Sequence, residues 1–138
     1  VGDKLTRLED YVRAASIDLR YEDNLDGALG LSHGGSISIL ESLSKAERFA
    51  TLVHELAHEL LHRGEGRSET TKTVRELEAE AVAYVVCCAL GLESDKCVDY
   101  IQLYSGDSAM LGESLEFIRS ISCTIISALE TSAELSAT

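Results

Sequence analysis

The stretch Thr51–Gly66, TLVHELAHELLHRGEG, carries most of what can be read about this chain. It sets His54, Glu55, His58 and His62 inside an apolar run. His54 and His58 are four apart, so on a helix both imidazoles leave the same side, one turn from each other. Two imidazoles at that spacing can reach one ion, and zinc accepts nitrogen ligands in tetrahedral geometry. Glu55 lies about 100° further round the helix. That puts it beside a metal-bound water rather than on the metal, where a carboxylate acts as general base. The bland alternative is a helix with two hydrogen-bonded surface histidines. The flanks FATLV and LAHELL oppose it, because so apolar a helix is buried over much of its girth, and a buried histidine needs a partner.

A catalytic zinc takes three protein ligands and keeps one position open. His62 comes one turn later, but eight residues overshoot two turns by about 80°. It is therefore expected beside the site or at the surface. The longer pattern H-E-x-x-H-x-x-G-x-x-H fails, with Leu61 where a glycine is needed and Gly64 where a histidine is. The remaining donors lie on a second helical segment, VRELEAEAVAYVV (Val74–Val86), which carries Glu76, Glu78 and Glu80. Glu76 and Glu80 share a face that continues into Ala83 and Tyr84, while Glu78 points nearly opposite. One carboxylate on the zinc, with the other holding a ligand histidine through its second N–H, would satisfy the ion and orient the ring together. Glu76 as ligand and Glu80 as orienter is the first assignment. Thr73-x-x-Glu76 is also a capping-box pattern, which would leave Glu76 as a cap and make Glu80 the ligand. Periodicity separates the faces of a helix but not its turns, so both carboxylates stay candidates.

The rest of the chain bounds the setting. Its 138 residues suit one domain, and 45% apolar residues mark a globular composition. With 24 acidic against 12 basic residues the net charge is −12, and no basic run exists. That argues against direct nucleic-acid binding, which rests on clustered Lys and Arg. The longest apolar run, AVAYVVCCAL (Ala81–Leu90), is too short to span a bilayer, and no window resembles a signal peptide. Cys87, Cys88, Cys97 and Cys123 lack C-x-x-C spacing and sit in apolar helical contexts, as small buried hydrophobes in a reducing compartment do. The expected location is the cytoplasm. The chain begins with Val1 rather than Met, as a segment cut from a longer protein would.

Periodicity orders the elements. Residues 3–15 put Leu5, Leu8, Tyr11 and Val12 on one helical face. SIDLRYED alternates Ile17, Leu19 and Tyr21 as a half-buried strand. A hairpin follows, with arms Ala28–Ser32 and Ser36–Leu40 and a turn at His33-Gly34-Gly35. Ser44-x-x-Glu47 is a capping box opening the histidine helix, which ends near His62. Residues 63–72 read as a loop. A second long helix spans about Thr71 to Leu90 and is closed by Gly91. A shorter helix is expected over 93–106, and a last amphipathic one over 107–130 through Leu111, Leu115, Ile118, Ile125 and Leu129. Residues 131–138 should fray. Helix, small antiparallel sheet, then four helices is an α+β arrangement, read as a single domain over 1–130.

HELAHELLH followed by ELEAEAVAYVVC resembles the ImmA/IrrE-type zinc metallopeptidases and the related metallopeptidase domain of ArdC-type antirestriction proteins. In that family H-E-x-x-H is followed by E-x-x-A-(N/E) on the next helix. Glu76-Leu77-Glu78-Ala79-Glu80 matches it residue by residue, which supports Glu76 as ligand. DYIQLY (Asp99–Tyr104) is similar to a Tyr-Ile-x-x-Trp segment of the ArdC-like branch, with Tyr104 in place of Trp. GALGLSHGGSISI resembles the strand pair before the zinc helix. The likeness implies a zincin-like, gluzincin-type fold in the cytoplasm of a bacterium. It also implies a peptidase acting on a protein partner, typically a repressor or other regulator linked to stress or mobile elements. Some members carry an extra DNA-binding domain, and none is visible in this segment.

These readings combine into peptide hydrolysis at Zn2+ held by His54, His58 and Glu76, with Glu80 behind a histidine and Glu55 as general base. A further donor should stabilise the oxyanion. Tyr100 is the first choice, on the strength of the Tyr-Ile match, with Tyr84 and His33 as alternatives. Strand Ser36–Leu40 is a candidate to pair an extended substrate by edge addition. The competing function is a metal-binding sensor or interaction module of the same fold with little turnover. An intact Glu55 weighs against it, because holding a metal needs no general base.

Overall fold

The computed structural model describes residues 2–61, 72–91 and 108–137. The predicted helix over 93–106 and the loop at 63–72 lie almost wholly outside them, as do His62, Cys97, Tyr100 and Tyr104. Helix α1 (Gly2–Ala14) buries Leu5, Leu8 and Val12 along one stripe, as its spacing predicts. It stops at Ser16, whose φ of 65° breaks the helical run. Strand β1 (Asp18–Glu22) exposes Asp18, Arg20 and Glu22 and turns Leu19 and Tyr21 towards the core. Strands β2 (Gly30–Ser32) and β3 (Ser36–Leu40) form the expected antiparallel hairpin, with Gly30 opposite Ile39 and Ser32 opposite Ile37. Gly34 and Gly35 have φ of 73° and 100°, the left-handed region that glycine enters without strain.

The sheet as a whole departs from the antiparallel expectation. Its order is β1-β3-β2, and β1 runs parallel to β3, with Asp18 beside Ser36 and Glu22 beside Leu40. The reason lies in what each strand can bury. Ile37, Ser38 and Ile39 are all buried, so β3 is covered on both faces and takes the centre. The charged outer face of β1 suits an edge. Between β1 and β2 the segment 23–29 buries Leu25 and turns on an Asx contact, Asp26 N–H donating to Asn24 Oδ1 at 2.9 Å. It carries the chain past one strand position, and β3 fills the gap. Strand β3 therefore has no open edge to offer a substrate. The outer strands of the described sheet are β1 and β2.

Helix α2 (Lys45–Leu61) opens on the expected box: Glu47 N–H donates to Ser44 Oγ at 3.2 Å, and Ser44 Oγ–H donates to Glu47 Oε1 at 2.9 Å. Phe49, Leu52, Val53 and Leu56 are completely buried, so α2 is the central element of the fold. Helix α3 (Lys72–Ala89) packs along it and ends where Gly91 turns to a φ of 75°. Helix α4 (Ser108–Ala137) packs on α3 through a core containing Ile118, Ile125 and Leu129. The described residues thus form four helices and a three-stranded sheet, an α+β architecture. None of the described helices is long and apolar enough to cross a membrane.

Candidate metal centre

Two stripes of α2 carry different chemistry. His54 and His58 face α3, and their rings meet edge to face with centroids 4.9 Å apart. Glu76 stands on α3 opposite both, its Oε2 3.0 Å from His54 Nε2 and 3.4 Å from His58 Nε2. Glu80, one turn on, binds the other side of the first ring, Oε1 lying 2.7 Å from His54 Nδ1. The histidine side chains are only 16% and 12% exposed, against 49% and 43% for Glu76 and Glu80. The donors therefore converge on a point reached from the solvent side. One ligand atom from each of His54, His58 and Glu76 lies within 4.8 Å of the others.

These residues fit a zinc ion. Ligands about 2.0–2.2 Å from a tetrahedral zinc stand about 3.3–3.6 Å from one another, and the two Nε2–Oε2 separations of 3.0 and 3.4 Å lie at that scale. The two imidazoles and one carboxylate form a donor set that zinc takes in hydrolytic sites, leaving a fourth position open. Burial opposes a charge on His54, but the Glu80 hydrogen bond and the charges of Glu55, Glu80 and Glu76 outweigh it, and the ring's pKa stands above its ordinary value. Carboxylates stand at both nitrogens of the ring, Glu80 at Nδ1 and Glu76 at Nε2, and both favour its protonated form.

The second stripe, Thr51, Glu55 and Glu59, faces the hairpin. Glu55 is buried, 8% exposed, and close enough to His54 for its charge to act on the ring. Strand β2 crosses directly over it. A Cβ at Gly30 would stand 2.7 Å from Thr51 Cγ2 and 3.1 Å from Glu55 Cγ, so only glycine permits this approach. One turn on, the Glu59 carboxylate accepts from the Ser32 hydroxyl, from Gly34 N–H at 3.0 Å and from Gly35 N–H at 2.6 Å. Sequence reasoning missed Gly30 and Glu59. The E-x-x-x-E spacing of Glu55 and Glu59 was visible, but nothing local says that a strand lies across it.

Of the oxyanion candidates, Tyr100 lies outside the described residues. Tyr84 is half-buried on α3. His33 is exposed on the hairpin turn, its Nε2 3.5 Å from Ser38 Oγ. Glu78 points away from the cluster, as its angular position requires, and is completely buried.

Residues 12–88 match the sequence model of the IrrE N-terminal-like domain, Peptidase_M78. The matched span is more than half of the 138-residue chain. The chain belongs to this family. No curated protein and no solved structure matches it significantly. The matched span runs from the end of α1 almost to the end of α3, so it holds His54, Glu55, His58, Glu76 and Glu80. Family membership makes this a metallopeptidase-type domain, a hydrolase by class, and the possible metal-binding group at His54, His58 and Glu76 agrees with it. The segment 99–104, which suggested the ArdC-like branch, lies outside the match.

Proposed function

We propose that this domain is a zincin-like zinc endopeptidase, with His54, His58 and Glu76 holding the ion and Glu80 orienting His54. The observation that carries the reading is the convergence of two Nε2 atoms and one Oε2 at 3.0 and 3.4 Å, with a second carboxylate behind the first ring. A bound zinc supplies an acidified water and a Lewis acid for the scissile carbonyl. Glu55 would be the general base at that site, taking up a proton and passing it to the leaving amine. Its burial keeps bulk water from competing for the proton and strengthens its field at the reacting centre. A hydroxyl or imidazole from Tyr100, Tyr84 or His33 completes the oxyanion site.

The substrate lies extended along β2. Leu40 N–H bonds Leu29 C=O at 2.9 Å, and His33 N–H bonds Ser36 C=O at 2.8 Å. The alternation of an antiparallel ladder then turns the N–H and C=O of Gly30 and Ser32 to the outer side of β2. Edge addition to that side brings a peptide bond past Glu55. Leu29 and Leu31, exposed at 43% and 38%, flank Gly30 on the opposite sheet face and favour apolar side chains there. The cleaved partner we propose is a cytoplasmic regulatory protein such as a repressor. The acidic chain, at −12, binds no nucleic acid itself.

The test is Glu55→Gln in the zinc-loaded protein, with products of peptide and whole-protein substrates read by mass spectrometry. Cleavage by the parent and none by the variant, at equal zinc content, supports the enzyme. Equal zinc and no cleavage by either supports a sensor or interaction module. Cleavage that survives Glu55→Gln removes Glu55 from the mechanism.

A further inference from the structure

Strand β2 is fastened to α2 at two points, and both fastenings lie on the stripe that carries Glu55. At one end Gly30 sits against Thr51 and Glu55, with room for no side chain. At the other, Ser32, Gly34 and Gly35 close on Glu59. Thr51, Glu55 and Glu59 follow at intervals of four, so the strand lies along one ridge of the helix. His54 and His58 form the neighbouring ridge.

The second fastening has a specific chemistry. Consecutive N–H groups in a tight turn can point into one concavity, a nest for an anion. Gly34 and Gly35 have φ of 73° and 100°, and both N–H groups point at the Glu59 carboxylate. A Cβ at Gly35 would meet nothing within 4 Å, so glycine serves the backbone angle there and not a close approach. The anion that fills this nest comes from the metal-binding helix itself, from the residue after His58.

We infer that Glu59 is a positioning residue for substrate: it holds the outer side of β2 at a set distance from the histidine ridge, so that an extended peptide on β2 reaches the metal and Glu55 together. This rests on the proposed zinc endopeptidase reading. Glu59 is not one of the three residues whose ligand atoms converge, and its role runs through the Ser32–Gly35 segment. Losing Glu59 removes the carboxylate that Ser32, Gly34 and Gly35 donate to, while the close approach of Gly30 and the pairing with β3 remain. Zinc affinity, set on the other ridge, stays as it was.

The test compares the parent with Glu59→Ala and with the milder Ser32→Ala, which removes one of the three donors. Zinc affinity is read by chelator competition. The probes are acetohydroxamate, which meets only the metal, and acetyl-Leu-Leu hydroxamate, which adds a peptide to lie on β2. Amide exchange at Gly34 and Gly35 reports the turn. Expected in Glu59→Ala are unchanged zinc and acetohydroxamate affinity, at least about tenfold faster exchange at both glycines, and about tenfold weaker peptidyl hydroxamate, the scale of one or two lost backbone hydrogen bonds. Ser32→Ala should move the same readouts by less. Faster exchange with unchanged peptidyl hydroxamate affinity makes Glu59 a local turn clamp and overturns the inference, leaving the zinc reading intact. A parent that binds no zinc overturns both.

Discussion

Glu80 offers the sharpest measurement, because it touches the cluster without facing the shared ligand point. Its Oε1 lies 2.7 Å from His54 Nδ1, a charge-assisted contact at the short end for nitrogen and oxygen. Hydrogen bonds to charged groups contribute about 1.5–3 kcal/mol, or about 10- to 100-fold at 1.4 kcal/mol per decade. Loss of the carboxylate behind a ligand histidine weakens metal binding over the same range, about 10- to 100-fold. Glu76 faces both Nε2 atoms, so Glu76→Ala leaves two protein donors where a catalytic zinc wants three. The expected order is therefore parent, then Glu80→Ala at about 10- to 100-fold weaker, then Glu76→Ala, weaker still. The assay is competition for zinc against a chromophoric chelator at pH 8, with elemental analysis for stoichiometry. A Glu80→Ala variant that binds as tightly as the parent would refute the orienting role. One that loses more affinity than Glu76→Ala would exchange the two carboxylates.

The raised His54 pKa sets a pH dependence in the metal-free protein. The folded ring holds its proton more tightly than the unfolded one, so the stabilisation is complete below the unfolded pKa of about 6.5 and disappears as pH rises through the higher folded value. The Tm of chelator-treated protein should fall over that window, and fall less in Glu80→Ala; identical slopes would count against the assignment. By the same linkage zinc displaces the His54 proton, so calorimetry in buffers of different ionisation enthalpy should show proton release that shrinks as pH rises. At the opposite end of α2, Ser44→Ala removes both bonds of the Ser44 hydroxyl, leaves the backbone contact from Ser44 N–H to Glu47 Oε1, and should cost about 1 kcal/mol in denaturant unfolding with unchanged zinc affinity. No change in stability would mean that the box contributes nothing to this helix start.

What the sequence determined by itself is whatever repeats along one element. The four-residue interval between His54 and His58 and the box at Ser44 and Glu47 are properties of one helix. The apolar stripe of Leu5, Leu8 and Val12, and the two glycines of the hairpin turn, are just as local. Helical phase also put Glu76 and Glu80 on one face and Glu78 on the other, but does not say at which turn each meets the histidine helix. That depends on the axial offset between α2 and α3, which sets Glu76 opposite both Nε2 atoms and Glu80 beside His54 Nδ1. Tertiary structure also decided the sheet. Alternation marks Ile37 and Ile39 as inward but cannot say that β1 runs parallel beside them, since that depends on where the segment 23–29 delivers the chain. The same placement moved the open edge from β3 to β2. It laid Gly30 on Glu55 and the Gly34–Gly35 turn on Glu59, contacts between residues 24–27 apart that no period along the chain encodes.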